Sequence, residues 1–92
     1  MSVPFTFHVP SDRRYRILAP EVAGKYAELA GGTPADGVVL AAALSAAMDD
    51  LSNGADADFE LSYRIRSGEV EVTVQCAGRS TVVKHPLTVP NL

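Results

Sequence analysis

Val38-Val39-Leu40-Ala41-Ala42-Ala43-Leu44-Ser45-Ala46-Ala47-Met48 is an uncharged run near the middle of a 92-residue chain. Within and just beyond it, Leu40, Leu44, Met48 and Leu51 recur at helical spacing and make one stripe. The surrounding alanines leave almost no polar face in the first half. A helix of this kind is covered on more than one side, and its small side chains let neighbours approach closely. The run therefore reads as a central helix packed between a second helix and a sheet. Its start is well marked. Thr33 is placed to cap the first turn, and Pro34 follows at the first helical position, where a missing N–H costs nothing. Asp36 stands three residues after Thr33, as in a capping box, and its charge suits the positive helix end. Asn53-Gly54 predicts the stop.

Working outward, Phe59, Leu61, Tyr63 and Ile65 alternate with Glu60, Ser62, Arg64 and Arg66. Val70, Val72, Val74 and Cys76 alternate with Glu69, Glu71, Thr73 and Gln75. Ser67-Gly68 between them predicts a hairpin with a two-residue turn, which sets the register. It places Ile65 opposite Val70, Tyr63 opposite Val72, Leu61 opposite Val74 and Phe59 opposite Cys76. On the other face it places Arg66 opposite Glu69 and Arg64 opposite Glu71. The two faces agree independently. The charge pairs are expected to be exposed, each worth about 0.2–1 kcal/mol, and the apolar face to cover the helices.

Val3 to Val9 predicts a strand, with Phe5, Phe7 and Val9 alternating with Thr6 and His8. Pro4 and Pro10 bracket it, which suits an edge position or an extended arm. Ser11 then reads as a helix cap, and Tyr15, Leu18, Val22, Tyr26 and Leu29 follow at helical spacing. Pro20 predicts a kink, or a helix that restarts with Pro20 in its first turn, with the break near Ala19. Gly31-Gly32 ends this region. Ala77 to Ser80 predicts a second turn, Thr81 to His85 a shorter strand, and Pro86 and Pro90 frame a surface tail. The order is β-α-α-β-β-β in one domain, residues 1–92. The expected fold class is α+β, a two-layer sandwich with two helices on one face of a mixed or antiparallel sheet.

The totals exclude several functions. Hydrophobic residues are 47% of the chain, too many for a disordered protein. A net charge of −3 and a pI near 5.2 argue against a nucleic-acid partner. One cysteine forms no internal disulfide and builds no cysteine-based metal site. The N-terminus lacks the pattern of a signal peptide, and no run reaches the roughly 18 apolar residues of a membrane span. A cytoplasmic protein without membrane contact is the expectation.

From Phe5-Thr6-Phe7 through Ser80, the element order and texture resemble the first two-thirds of an anti-sigma-factor serine kinase domain, of the Bergerat-type (GHKL) ATPase superfamily. In that family the second helix carries a Glu-x-x-x-Asn box and the hairpin runs into an Asp-x-Gly-x-Gly box. Here Ser45-Ala46-Ala47-Met48-Asp49-Asp50 lies along the first box. Ala46 stands where the family has its general-base Glu, and a methyl group accepts no proton. Asp50 stands where the family has the Asn that holds magnesium. Gln75 to Ser80 lies along the second box, with Cys76 in place of the adenine-reading Asp and Gly78 retained. The second glycine box has no counterpart before Leu92. The resemblance implies the fold and argues against ATP chemistry, so no cofactor is expected.

The individual candidates have plain alternatives. Asp49, Asp50 and Asn53 read as a solvated last helical turn. Cys76, on the apolar face opposite Phe59, reads as a buried small hydrophobe. His8 and His85 read as solvent-facing strand residues, with no evident Ser, Asp or Cys partner. Arg13, Arg14 and Arg16 form the one basic cluster, read as a solvated face at the helix start. No acid–base or nucleophile–base pair stands out, and catalysis has the least support. The first expectation is a non-catalytic interaction or regulatory module. It would bind a regulatory protein, or itself, through the edge strand and first helix, with Phe5, Phe7, Arg13, Arg14 and Tyr15 at the interface. Kinases of the resembled family pair through their N-terminal elements, which carries over as a homodimer. The alternative is a small-molecule or nucleotide binder using the wedge between central helix and hairpin, with Asp50 and Gly78 at its rim.

Overall fold

A computed structural model describes residues 5–10, 13–52 and 57–87. The expected Asn53-Gly54 helix stop, the Ser11 cap, the Val3-Pro4 strand start and the tail beyond Leu87 lie outside the described residues. Strand β1 (Phe5–Val9) leads through a 3-10 turn (Arg13–Tyr15) into helix α1 (Leu18–Leu29) and helix α2 (Pro34–Ser52). Strands β2 (Phe59–Arg66), β3 (Glu69–Cys76) and β4 (Arg79–Pro86) follow as a meander. All pairings are antiparallel and the sheet order is β1-β2-β3-β4. The architecture is α+β, with both helices on one sheet face, and β1 is an edge strand. Among the described residues no helix is long and apolar enough to cross a membrane.

The β2–β3 register is the expected one, from Phe59 opposite Cys76 to Arg66 opposite Glu69. The turn explains it. Ser67 and Gly68 both have positive φ, 53° and 76°, as a two-residue turn matched to strand twist requires. Ala77 and Gly78 repeat the device at 51° and 80°. That tight turn lets β4 begin at Arg79, so the last strand is longer than the expected Thr81–His85.

Helix α2 starts as its sequence dictates. Asp36 Oδ2 accepts the Thr33 N–H at 2.9 Å, and Thr33 Oγ1 accepts the Asp36 N–H at 3.2 Å. The two residues close a capping box with Asp in the usual Glu position. Helix α1 restarts with Pro20 third in its first turn, and the break falls at Arg16-Ile17, just before the expected place. Gly31 (φ 102°) ends it: the Gly32 N–H donates to the Ala27 carbonyl and the Gly31 N–H to the Glu28 carbonyl, a Schellman motif.

The core lies between the helices and the inner sheet face. Leu40, Leu44, Met48 and Leu51 of α2 meet Phe59, Leu61, Tyr63, Val70, Val72 and Val74. Cys76 is buried opposite Phe59, as expected. From α1 the buried residues are Ala19, Ala23 and Ala27. The large side chains at helical spacing on α1 are not what it buries: Leu18 and Leu29 are exposed, while Val22 and Tyr26 are half-buried. One expectation about the outer sheet face is corrected. Glu71 is buried, because it sits on an inner strand between Arg64 of β2 and Lys84 of β4. Arg64 donates to it from Nε and Nη2, each at 2.9 Å.

Candidate functional site

Glycine inside a helix costs about 1 kcal/mol relative to alanine, so two facing glycines point to a close approach. Gly24 of α1 and Gly37 of α2 make that approach. A Cβ added at Gly37 would stand 3.0 Å from the Gly24 carbonyl oxygen, and one at Gly24 would stand 3.4 Å from the Gly37 oxygen. Against the core α1 fully buries Ala19, Ala23 and Ala27, with Val22 and Tyr26 packed beside them half-buried. Leu18 and Leu29 at its two ends are exposed.

Both glycines line a groove of about 800 Å³ between the helices. Leu18, Val22 and Leu29 of α1, Pro34, Val38 and Ala41 of α2, and Phe5 of β1 make it apolar. Glu21, Lys25 and Glu28 supply its charges. Leu29 is 88% exposed, Val38 70% and Phe5 41%, an unusual amount of bare apolar surface around one depression.

The expected interface residues divide. Phe5 and Phe7 stack with centroids 6.3 Å apart on the inner face of the edge strand, and Phe5 also meets Tyr63 at 5.5 Å. Phe5 joins the groove, whereas Phe7 is half-buried against the core. Tyr15 is exposed, with the Arg14 guanidinium 6.0 Å from its ring centre, and neither lines the groove. Arg13 has its backbone in the 3-10 turn. Arg16 is not part of a solvated face. Its guanidinium lies 5.2 Å from the centre of the Phe59 ring and 3.6 Å from Asp49, fastening the start of α1 to the last turns of α2.

Asp50 and Gly78 are not brought to one rim. Asp50 lines a shallow depression with Ala46, Ala47 and Asp49, and Gly78 lines a separate one of about 390 Å³ with His8 and Arg79. Between central helix and hairpin, the space is occupied by Leu40, Leu44, Met48 and Leu51. Arg79 donates from Nη2 to the Leu51 carbonyl, holding the β3–β4 turn to the end of α2.

Both histidines have aspartate partners, contrary to expectation. His85 Nε2 is 2.9 Å from Asp36 Oδ1 inside the fold, and His8 Nε2 is 3.3 Å from Asp58 Oδ2 at the surface. His85 shares the inner sheet face because it pairs with Val70; its phase with Val83 and Thr81 was the signal in the sequence. Asp36 thereby serves the helix cap and β4 at once. Among the described residues no group of three or more His, Cys, Asp or Glu side chains could hold a metal ion. Burial raises the pKa of Tyr63, whose hydroxyl donates to the Ala19 carbonyl at 3.1 Å, and to a lesser degree that of Tyr26.

Comparison of the chain with models of known protein families and with curated proteins finds no match.

Proposed function

We propose that this chain is a non-catalytic, cytoplasmic protein-interaction module of regulatory type, with an anti-sigma-kinase-like fold that has lost ATP chemistry. Its working surface is the apolar groove between α1 and α2, with Phe5 of the edge strand beside it. The observation that carries this reading is the concentration of exposed Leu18, Leu29, Val38 and Phe5 around that groove. Aromatic and large aliphatic side chains dominate buried protein contacts. The loss of nucleotide chemistry is supported by Ala46 and Cys76 in the two boxes of the resembled family, and by the filled space between α2 and the hairpin.

Sedimentation velocity across a concentration series tests the reading. The wild-type chain is expected to associate, and Leu29→Asp to abolish association without altering the circular dichroism spectrum, because Leu29 is almost wholly exposed. Magnesium–ATP is expected to leave the melting temperature unchanged. A Leu29→Asp chain that associates like wild type overturns the assignment of the surface, and a rise in melting temperature with nucleotide overturns the loss of ATP binding.

A further inference from the structure

A second surface lies on the other side of α2, and it stands whether or not the groove is used. We propose that the outer edge of β4 takes an extended segment of another protein as an added antiparallel strand, with an acidic residue opposite Lys84 and apolar residues against α2. The backbone comes first. Ala77 and Gly78 form a two-residue turn, so Cys76 and Arg79 exchange hydrogen bonds across it. Hydrogen-bonded pairs alternate along an antiparallel ladder, so Thr81, Val83 and His85 also turn their backbone groups toward β3. Ser80, Val82 and Lys84 turn theirs outward, and among the described residues no strand lies beyond β4 to receive them. Pro86, next in that phase, has no N–H to offer and marks the end of the edge.

Side chains define the occupant. On the outer sheet face Arg64, Glu71 and Lys84 stand in one row across β2, β3 and β4, positive, negative, positive. Arg64 bridges Glu71, so the row ends on the Lys84 charge, and a carboxylate continues the alternation. A lysine on an edge deters uncharged strands, which makes this edge selective for an acidic one. Val82, 49% exposed, fits a β-branched neighbour in the next row. On the inner face α2 runs antiparallel along β4: Asp36 meets His85 at one end, and the Leu51 carbonyl accepts from Arg79 at the other. The lengths match, about 22 Å of helix against about 20 Å of strand. Asp36, Val39 and Ala43 are spaced three and four residues apart, on one side of α2. That side meets β4 at Asp36 and is turned away from α1, which packs at Gly37. Val39 and Ala43 are exposed and form a small apolar shelf over the place of the added strand.

Fluorescence anisotropy with a labelled peptide, Ser-Glu-Val-Thr-Val-Gln-Ser, tests the pairing. In the antiparallel register its Glu falls opposite Lys84 and its Thr opposite Val82. The peptide is expected to bind, and methylation of its Thr nitrogen to weaken binding about tenfold by blocking a ladder hydrogen bond. Lys84→Gln and replacement of the peptide Glu by Gln are each expected to weaken binding about threefold, and together no further than either alone. Ala43→Glu is expected to weaken it about tenfold with an unchanged circular dichroism spectrum, because Ala43 is exposed. Leu29→Asp is expected to leave peptide binding unchanged, which separates this site from the groove. No binding up to about 1 mM peptide overturns the proposal. Equal binding of the methylated peptide, or additive effects of the two Gln replacements, also overturns it. Loss of binding in Leu29→Asp assigns the peptide to the groove instead. Self-association that excludes the peptide and yields to Ala43→Glu makes a second copy the occupant, and the proposal fails.

Discussion

Helices α1 and α2 lie side by side on the same sheet, yet they meet the core in opposite ways. Helix α2 turns its largest residues inward, and Leu40, Leu44 and Met48 are essentially inaccessible. Helix α1 turns Ala19, Ala23 and Ala27 inward and carries its largest residues toward solvent and the groove. Helix α2 stabilises the fold by filling space. Helix α1 holds its place by coming close to α2 at Gly24 and leaves Leu18 and Leu29 exposed. Burial and exposure therefore separate the two helices, and the outward side of α1 is part of the surface that the proposed interaction would use.

The comparison can be broken most severely on α2. Leu44→Ala is expected to lower unfolding free energy by about 2–5 kcal/mol in urea titration, the cost of lost burial plus a cavity. The equivalent truncation on α1, Leu29→Ala, is expected to change stability by less than about 0.5 kcal/mol. A Leu29→Ala loss comparable to that of Leu44→Ala would show that the two faces have been assigned wrongly. Next in size is Ala23→Leu. Forcing bulk under α1 is expected to cost about 1–3 kcal/mol, read as a drop in melting temperature. Ala43→Leu on the exposed side of α2 is expected to be close to neutral.

The smallest expected effect sharpens how α1 is held. Tyr63→Phe removes the hydrogen bond from the sheet to the Ala19 carbonyl and is expected to cost about 0.5–1.5 kcal/mol at neutral pH. It also predicts a pH signature. Burial raises the Tyr63 pKa above its usual 10.0, so above that pH the unfolded chain releases a proton that the folded chain keeps. Stability is fully present below pH 10 and falls as pH rises through the alkaline range. The fall should be shallower in Tyr63→Phe. Equal slopes in melting temperature between pH 9 and pH 11, values set by the usual tyrosine range, would remove Tyr63 as its source.

The hairpin and the start of α2 were legible because their determinants are local. Ser67-Gly68 fixes a register that two side-chain patterns check, and Thr33, Pro34 and Asp36 act within one helical turn. The groove was less legible because the face that α1 buries depends on Gly37, which lies in another helix. Hydrophobic spacing alone selects Leu18, Val22, Tyr26 and Leu29; of these Val22 and Tyr26 pack half-buried against the core, while Leu18 and Leu29 are exposed. The His85–Asp36 contact joins residues 49 positions apart, and Arg16 over Phe59 likewise depends on the assembled fold. The edge position of β1 was legible from Pro4 and Pro10, and Phe5 on it is exposed, while Asp50 and Gly78 occupy separate depressions.

The sheet order has a kinetic consequence. β2, β3 and β4 each pair with their neighbour in the chain, and the two helices are also consecutive. Among these strands β1 alone pairs with a strand that does not adjoin it in the chain, joining residue 9 to residue 59 across both helices. Loop-closure entropy makes that strand pairing costlier to form than the hairpins of the meander. The meander is therefore expected to form before β1 joins it. The same strand carries Phe5 to the groove, so the proposed interaction surface is expected to be complete only once β1 has paired.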